Sequence, residues 1–315
     1  MTTGSLASMA MGVASSPVAD LAPTPATWLA TWRPDLGITV GLLGLVVLYA
    51  RVVRRLWMRR HGAGISPSRV AAFVAGIVVL GVAVLSPLDT LGAALLSAHM
   101  VQHLLLALLA APLLVAGRTH VVALHLVPLA WRRRVAPPVA RTLRRVAPLG
   151  LVLALGLHVG VMLVWHLPGL YAASLQSGAV HALEHVSLLV AAVPFWIAVG
   201  TSRTTPVAAA GLAAFVAALA ATALAAGMTF APTAWYAGHL PTTTAWGLTP
   251  LQDQQLAAAI LWVPGGMAYL ATCTVAVVRW LRADERRHAL APGGGTPRPV
   301  PGPTPADPPG IAGPP

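Results

Sequence analysis

The sequence predicts an all-α polytopic membrane protein: a bundle of seven transmembrane helices with its N-terminus outside and its C-terminus in the cytoplasm. The first observation is composition, since 57% of the 315 residues are hydrophobic and only 9% are charged, whereas soluble domains carry about 25% charged residues. The others are a series of long apolar segments and an alternation of arginine between the loops that join them.

A helix rises about 1.5 Å per residue, so about 20 apolar residues are needed to cross a hydrocarbon core of about 30 Å. The sequence contains seven such segments, near 36–56, 69–87, 91–116, 148–166, 180–200, 207–228 and 252–280. They form a predicted membrane domain over 36–285. We expect residues 1–35 to be an extracytoplasmic segment and the Pro/Gly-rich residues 286–315 to be a disordered cytoplasmic tail.

The arginines predict the orientation of the bundle. All basic residues are arginines, and they concentrate in the loops after the first, third and fifth spans and after the last one. The loops around 88–91, 167–179 and 229–251 contain no Lys or Arg. By the positive-inside rule the arginine-bearing loops are cytoplasmic. The net charge of +12 is therefore interpreted as a topology signal and a contact with anionic membrane lipids, and not as a nucleic-acid surface.

The chain contains one cysteine, Cys273, within the last span. A single cysteine excludes an intramolecular disulfide, a CxxC motif and covalent haem attachment through CxxCH. Any metal site must therefore be built from histidine, methionine and carboxylate side chains.

Two pairs of histidines share the same helical spacing, namely His99 with His103 in the third span and His181 with His185 at the start of the fifth. Residues four apart project from one face of a helix, so each pair could bind one metal ion. Polar rings are costly in hydrocarbon unless they face the bundle interior with a partner. Both pairs fall in the predicted outer half of the membrane.

Other spans bring polar groups to the same outer level. His166 ends the fourth span and Asp253 begins the seventh, although Asp253 could equally complement the dipole of its own helix. The predicted metal ligands are His99, His103, His166, His181, His185 and Asp253. Possible supporting residues, chosen by spacing, are Gln102, Glu184, His158, Met100 and Met162.

Residues 181–185 read HALEH and match the HxxEH pattern of one group of zinc peptidases, in which the glutamate acts as general base. A peptidase would leave His99 and His103 without a role. We therefore favour Glu184 as a hydrogen-bond acceptor that orients a ligating imidazole, and we expect the chain not to be an enzyme.

Two other classes of protein stay open at this point. Histidines on facing helices could ligate haem, and intramembrane His and Asp also build proton or ion relays. A relay is disfavoured because the inner halves of the spans are nearly all aliphatic.

Four ordered segments carry a family resemblance: HMVQHLLLALLAAPLL, WHLPGLYAASL, HALEHVSLLVAAVPFW and DQQLAAAILWVPGG. Together they resemble the CtaG family of bacterial cytochrome c oxidase assembly proteins, the multi-span type associated with caa-type oxidases. The resemblance covers about residues 36–285. The single-span copper chaperone that shares the CtaG name is different, because it uses cysteines that this chain lacks.

The resemblance implies a multi-pass protein of the bacterial plasma membrane that helps to mature a haem-copper oxidase, through copper supply or insertion. It implies that the family's histidines correspond here to His99, His103, His166, His181 and His185, and its late acidic residue to Asp253. The expected partners are membrane lipids, oxidase subunits and an extracytoplasmic copper carrier. The expected cargo is copper, with haem or zinc as alternatives.

Overall fold

A computed structural model describes residues 23–290, apart from 33, 59, 63, 127, 129, 132–133, 135–146 and 202–204. Within these residues all regular secondary structure is helical, which confirms the predicted all-α class. Most of the predicted N-terminal segment (1–22) and the tail from 291 onward lie outside the described residues.

Ten helices organise the described chain. They are α1 (Leu36–Trp57), α2 (Pro67–Leu85), α3 (Pro87–Ala94), α4 (Leu96–Ala116), α5 (Thr119–Leu126), α6 (Ala147–Trp165), α7 (Pro168–Gln176), α8 (Gly178–Trp196), α9 (Val207–Phe230) and α10 (Pro250–Leu290). Helix α4 contains a π-helical stretch, Leu105–Ala110, and α8 continues into another, Ile197–Thr201.

Six of these helices are long and apolar enough to cross a membrane: α1, α2, α4, α8, α9 and α10. Helix α6 qualifies only together with α7, and the chain bends by 71° between Leu149–Trp165 and Pro168–Gln176. The described chain is therefore a multi-pass membrane protein with six spans, or seven if the bent pair counts as one.

Helix α4 is the central span of the bundle. Within its most apolar stretch 61% of the residues are buried by the protein, against 17–44% for the other five spans. One side of α4 packs on α2 and the other on α10 and α8, and α10 in turn packs closely along α9. The buried face of α9 is rich in alanine, including Ala214, Ala217 and Ala221, which lets neighbouring helices approach closely. Side chains on α4 are thus held on several sides.

The predicted third span, 91–116, is wrong at its beginning. The chain leaves the helix at Leu95, which is extended (φ −132°, ψ 129°), so α3 ends at Ala94 and α4 starts anew at Leu96. A new helix exposes N–H groups that have no partner within the helix. In the interior of a membrane protein these groups need a partner from elsewhere in the fold.

Asp253, in the first turn of α10, supplies that partner. Its Oδ2 accepts a hydrogen bond from the Leu96 N–H at 2.7 Å, and its Oδ1 accepts from the Ser97 N–H at 3.1 Å and the Ser97 hydroxyl at 2.6 Å. The carboxylate also lies at the positive end of the α4 dipole. One buried side chain therefore joins α10 to the start of α4.

Gln102 holds the opposite side of α4. Its Nε2 donates to the Ala83 carbonyl at 2.8 Å and to Asp89 Oδ1 at 3.0 Å. Gly92 lies so close to Gln102 that a Cβ there would overlap Gln102 Oε1. A glycine at this position lets α3 fold back against α4.

The paired histidines of α4 and the arginine that follows this helix lie at opposite ends of the bundle. His99 is in the first turn of α4, and Arg118 follows the end of the same helix, about 28 Å away at the rise of an α-helix. Along α10, Asp253 lies near the start of the helix and Arg279 lies toward its other end. The distance between His99 and Arg118 along α4 is close to the thickness of a hydrocarbon core.

We predict that Asp253→Ala lowers the free energy of unfolding by about 2 to 3 kcal/mol, because buried N–H groups lose a charged acceptor. Denaturant titration in detergent, followed by circular dichroism, measures the loss. The matched control is Asp35→Ala, since Asp35 accepts from the Ile38 N–H at an exposed position where water can replace it. That control should lose about 1 kcal/mol or less, and equal losses would contradict the role given to Asp253.

We also predict that Gly92→Ala is destabilising, by about 1 to 3 kcal/mol, because the new methyl group displaces Gln102 from its two acceptors. The same titration measures the effect. Gly81→Ala in α2 is the control, because a Cβ on Gly81 meets nothing within 4 Å. It should be neutral or slightly stabilising, and a similar loss in both variants would show that Gly92 has no special packing role.

Candidate functional site

The candidate site begins with a carboxylate placed between two imidazoles. Glu184 of α8 faces α4, and its Oε1 lies 3.3 Å from Nε2 of His99 and 3.3 Å from Nε2 of His103. The centroids of the two imidazole rings are 4.4 Å apart. The i,i+4 spacing on α4 thus brings both rings to one face, as predicted.

The second histidine pair completes the same cluster from α8. The ring centroids of His181 and His185 are 4.2 Å apart. The ring of His99 lies 5.4 Å from that of His181 and 5.5 Å from that of His185. The four histidines of the two predicted pairs therefore form one group across the α4–α8 interface.

His166 joins the cluster from the end of α6, with its ring centroid 5.5 Å from that of His103. Its Nδ1 is 2.7 Å from the Met162 carbonyl, and its Nε2 is 3.2 Å from the sulfur of Met100. Because a carbonyl can only accept, Nδ1 carries the proton and Nε2 of the neutral ring keeps a lone pair. A nitrogen and a thioether donor therefore face each other. Met162 contributes its carbonyl to this arrangement.

The cluster is buried and its polar atoms are poorly satisfied. His99 and Glu184 are 0% exposed, and His103, His166 and His185 are also buried; His181 is half-buried. Several buried atoms of the cluster have no hydrogen-bond partner: His99 Nδ1, His103 Nδ1, His181 Nε2, His185 Nε2 and Glu184 Oε2. An unsatisfied buried polar atom costs about 1 to 3 kcal/mol. So many in one place make the cluster a candidate ligand site.

The donor geometry fits a metal ion. His99, His181 and His185 each offer one donor atom, and the three atoms lie within 4.8 Å of one another; the same is true of His99, His103 and Glu184. Imidazole and carboxylate donors suit copper, zinc and iron. Thiolate is absent from this set, because Cys273 lies in α10 with its sulfur 3.5 Å from the Gly211 carbonyl.

Glu184 is placed for the predicted role and for a more direct one. We expected it to orient a ligating imidazole through a hydrogen bond. The 3.3 Å contact of Oε1 with His99 Nε2 is compatible with that role, and the same carboxylate is also one of the three donors of a candidate ligand set.

Three other predicted residues lie outside the cluster. Asp253 uses its carboxylate at the start of α4, so it fixes the helix that carries His99 and does not face the other donors. Gln102 bonds to α2 and α3. His158 bonds to the Tyr269 hydroxyl at 2.7 Å and stacks on Phe195. A cavity of about 30 Å³ between His158 and the cluster has room for about one water molecule.

Sequence reasoning missed the residues that cover the cluster. Tyr171 of α7 has its ring 5.0 Å from that of His99, and its hydroxyl is 2.7 Å from Nε2 of His239. The Tyr236 hydroxyl donates to the His166 carbonyl at 2.9 Å. His239 and Tyr236 lie in the loop before α10, without a partner at helical spacing, so only the tertiary fold brings them to the site.

The loop before α10 is tied down over this end of the bundle. The Thr242 hydroxyl donates to the Ala94 carbonyl at 2.6 Å, and the Trp235 N–H donates to Gln254 Oε1 at 2.6 Å. Burial lowers the pKa of His239, which favours the neutral ring as the partner of Tyr171. The loop therefore acts as a cover that keeps bulk water from the imidazoles.

Comparison with known proteins gives one finding. A family model described as cytochrome c oxidase caa3 assembly factor (Caa3_CtaG) matches residues 47–283, a range that contains every residue of the cluster. No curated protein and no solved structure matches the chain. Since the match covers well over half of the sequence and includes all the helices that build the site, the chain belongs to the cytochrome c oxidase caa3 assembly factor family.

Proposed function

We propose that this assembly factor receives copper from the extracytoplasmic side at its histidine cluster and supplies it to a maturing haem-copper oxidase. The observation that carries the proposal is the group of buried, unsatisfied donor atoms between α4 and α8. They belong to a chain whose family assembles cytochrome c oxidase.

A bound cation would offset the free-energy cost of burying the imidazoles and the carboxylate of the cluster. Five imidazoles and a carboxylate in a membrane interior are costly unless they are paired. Hydrogen bonds within the cluster satisfy only part of this demand, since atoms on both helices stay without a partner. A cation accepts lone pairs from several of these atoms at once and offsets the charge of Glu184.

The donor chemistry favours copper among the candidate metals. Imidazole binds copper in both oxidation states, and a thioether is a soft donor that suits Cu(I). Met100 provides such a donor next to the free nitrogen of His166. Zinc would be served by the imidazoles and Glu184 alone, so the methionine distinguishes the two metals.

The same donor set suits transfer better than permanent storage. It contains no thiolate within the cluster, and its nitrogen ligands are neutral and exchangeable with those of an acceptor. The half-buried His181 lies at the start of α8. A partner that approaches this end of the bundle, either a copper carrier or an oxidase subunit, could reach the ion there.

Haem is less well supported as the ligand. The centroids of neighbouring imidazole rings in the cluster are between 4.2 and 5.7 Å apart. This spacing leaves no gap for a porphyrin plane. The neighbouring cavity, of about 30 Å³, is far smaller than the pockets of about 300 Å³ or more that hold organic cofactors.

A peptidase activity is also less well supported. A zinc peptidase needs its glutamate free to activate water in a cleft that admits a peptide. Glu184 is fully buried and lies against two histidines, and Tyr171 covers His99. We therefore propose a binding and transfer role without catalysis.

We predict that the purified wild-type protein binds about one copper ion per chain and that His99→Ala weakens binding by about 10- to 100-fold, as loss of a metal-site residue does. Elemental analysis and competition with a Cu(I) chelator measure both, and an absorption spectrum tests for haem. His125→Ala is the control, because His125 is exposed and bonds to the Val121 carbonyl of its own helix. If His99→Ala retains as much copper as wild type, the cluster is not the binding site.

In cells that lack the native gene, we predict that wild type and His125→Ala restore oxidase activity and oxidase copper content, whereas His99→Ala does not. Copper added to the medium should partly rescue His99→Ala, because a weakened site fills at higher ligand concentration. The measurement is oxidase activity together with copper per oxidase. Full restoration by His99→Ala without added copper would contradict the proposal.

A further inference from the structure

The cluster contains two overlapping sets of donors. One set is His99, His181 and His185, and the other is His99, His103 and Glu184. His99 belongs to both, and within each set the offered atoms lie within 4.8 Å of one another. The two sets therefore define two adjacent candidate positions for a metal ion, and these positions share His99.

The two sets differ in the exposure of their members. The first set includes His181, which is half-buried in the first turn of α8. All three members of the second set are buried, and Glu184 is fully so. Along α4 His103 lies one turn farther from the helix start than His99, whereas along α8 His185 of the first set lies one residue beyond Glu184, so the sets differ through the exposure of His181. We call the first set the outer position and the second the inner position.

The two sets also differ in charge. The outer position consists of three imidazoles, which bind metal in their neutral form, so an ion there keeps its full charge. The inner position includes the Glu184 carboxylate, which compensates that charge. In a low-dielectric interior an uncompensated charge is strongly disfavoured. An ion is therefore more stable at the inner position.

We propose that the ion enters at the outer position and moves to the inner one, with His99 bound throughout. This inference rests on the proposed copper function and adds a direction and two steps to it. The outer position determines how fast copper is captured, and the inner position determines how tightly it is held.

Full-length protein in detergent, given Cu(I) under anaerobic conditions, tests the proposal through two separate quantities. Stopped-flow transfer from a coloured Cu(I) chelator gives the rate of capture, and equilibrium competition with the same chelator gives the affinity. Neither quantity depends on oxidase activity.

The expected result is a division between variants. His181→Ala should slow capture by about tenfold with little change in affinity, and His103→Ala should lower affinity by about tenfold with little change in the initial rate. Glu184→Gln, which preserves the shape of the side chain, should behave like His103→Ala. His158→Phe, which keeps the ring against Phe195, is the buried control and should change neither quantity.

Two results would overturn the proposal, and they differ in meaning. If His181→Ala and Glu184→Gln change rate and affinity alike, the ion has a single position, and the copper function stands without the two steps. If wild type binds no Cu(I), the copper function itself falls, and this inference falls with it. Circular dichroism and gel filtration of each variant identify any that fail to fold.

Discussion

The structure depends on one buried carboxylate at the start of a helix that begins inside the protein. Helix α4 starts at Leu96 within the bundle, so its first N–H groups cannot reach partners in the preceding turn. Asp253 satisfies two of them from another helix. Without this acceptor the break at Leu95 would leave unpaired backbone groups in a membrane interior, where each costs several kcal/mol. The break sets where α4 begins, and with it the face on which His99 and His103 lie.

Positioning of the histidines follows from that start and from the packing on both sides of α4. Gln102 fixes the helix against α2 and α3, while Glu184 contacts the two imidazoles from α8. Both residues are fully buried, so rotation of α4 would cost hydrogen bonds on one side and donor contacts on the other. The contacts that fix α4 and the donor atoms that lack a partner therefore belong to the same packed interface. Evolved binding sites commonly keep polar groups ready for a ligand at some expense in stability.

The spans and the histidine pairs could be predicted from the sequence. The helix break and the tertiary contacts could not, for physical reasons. Apolar length predicts the spans, and the four-residue spacing predicts that His99 pairs with His103 and His181 with His185, because both are local properties of a helix. The break at Leu95 has no local signal, since leucine in an apolar run favours continuing the helix. The role of Asp253 requires a contact across 157 positions in sequence, and Glu184 reaches α4 only through the packing of α8. Tyr171 and His239 likewise meet only in the tertiary fold.

The distribution of polar groups also limits the route that an ion bound as proposed could take. Beyond His103 the sequence of α4 continues as LLLALLAAPLLVAG, with no side chain that could bind a cation. Helix α8 beyond His185 carries only Ser187 as a polar side chain before Trp196, and that hydroxyl is engaged by Trp165 and the Glu184 carbonyl. The buried imidazole of His158, on α6, is already bonded to the Tyr269 hydroxyl. An ion at the cluster therefore faces a low-dielectric barrier toward the arginine-bearing end. On the copper proposal, entry and exit would then take place at the same end of the described bundle, as in a carrier that serves partners on one side.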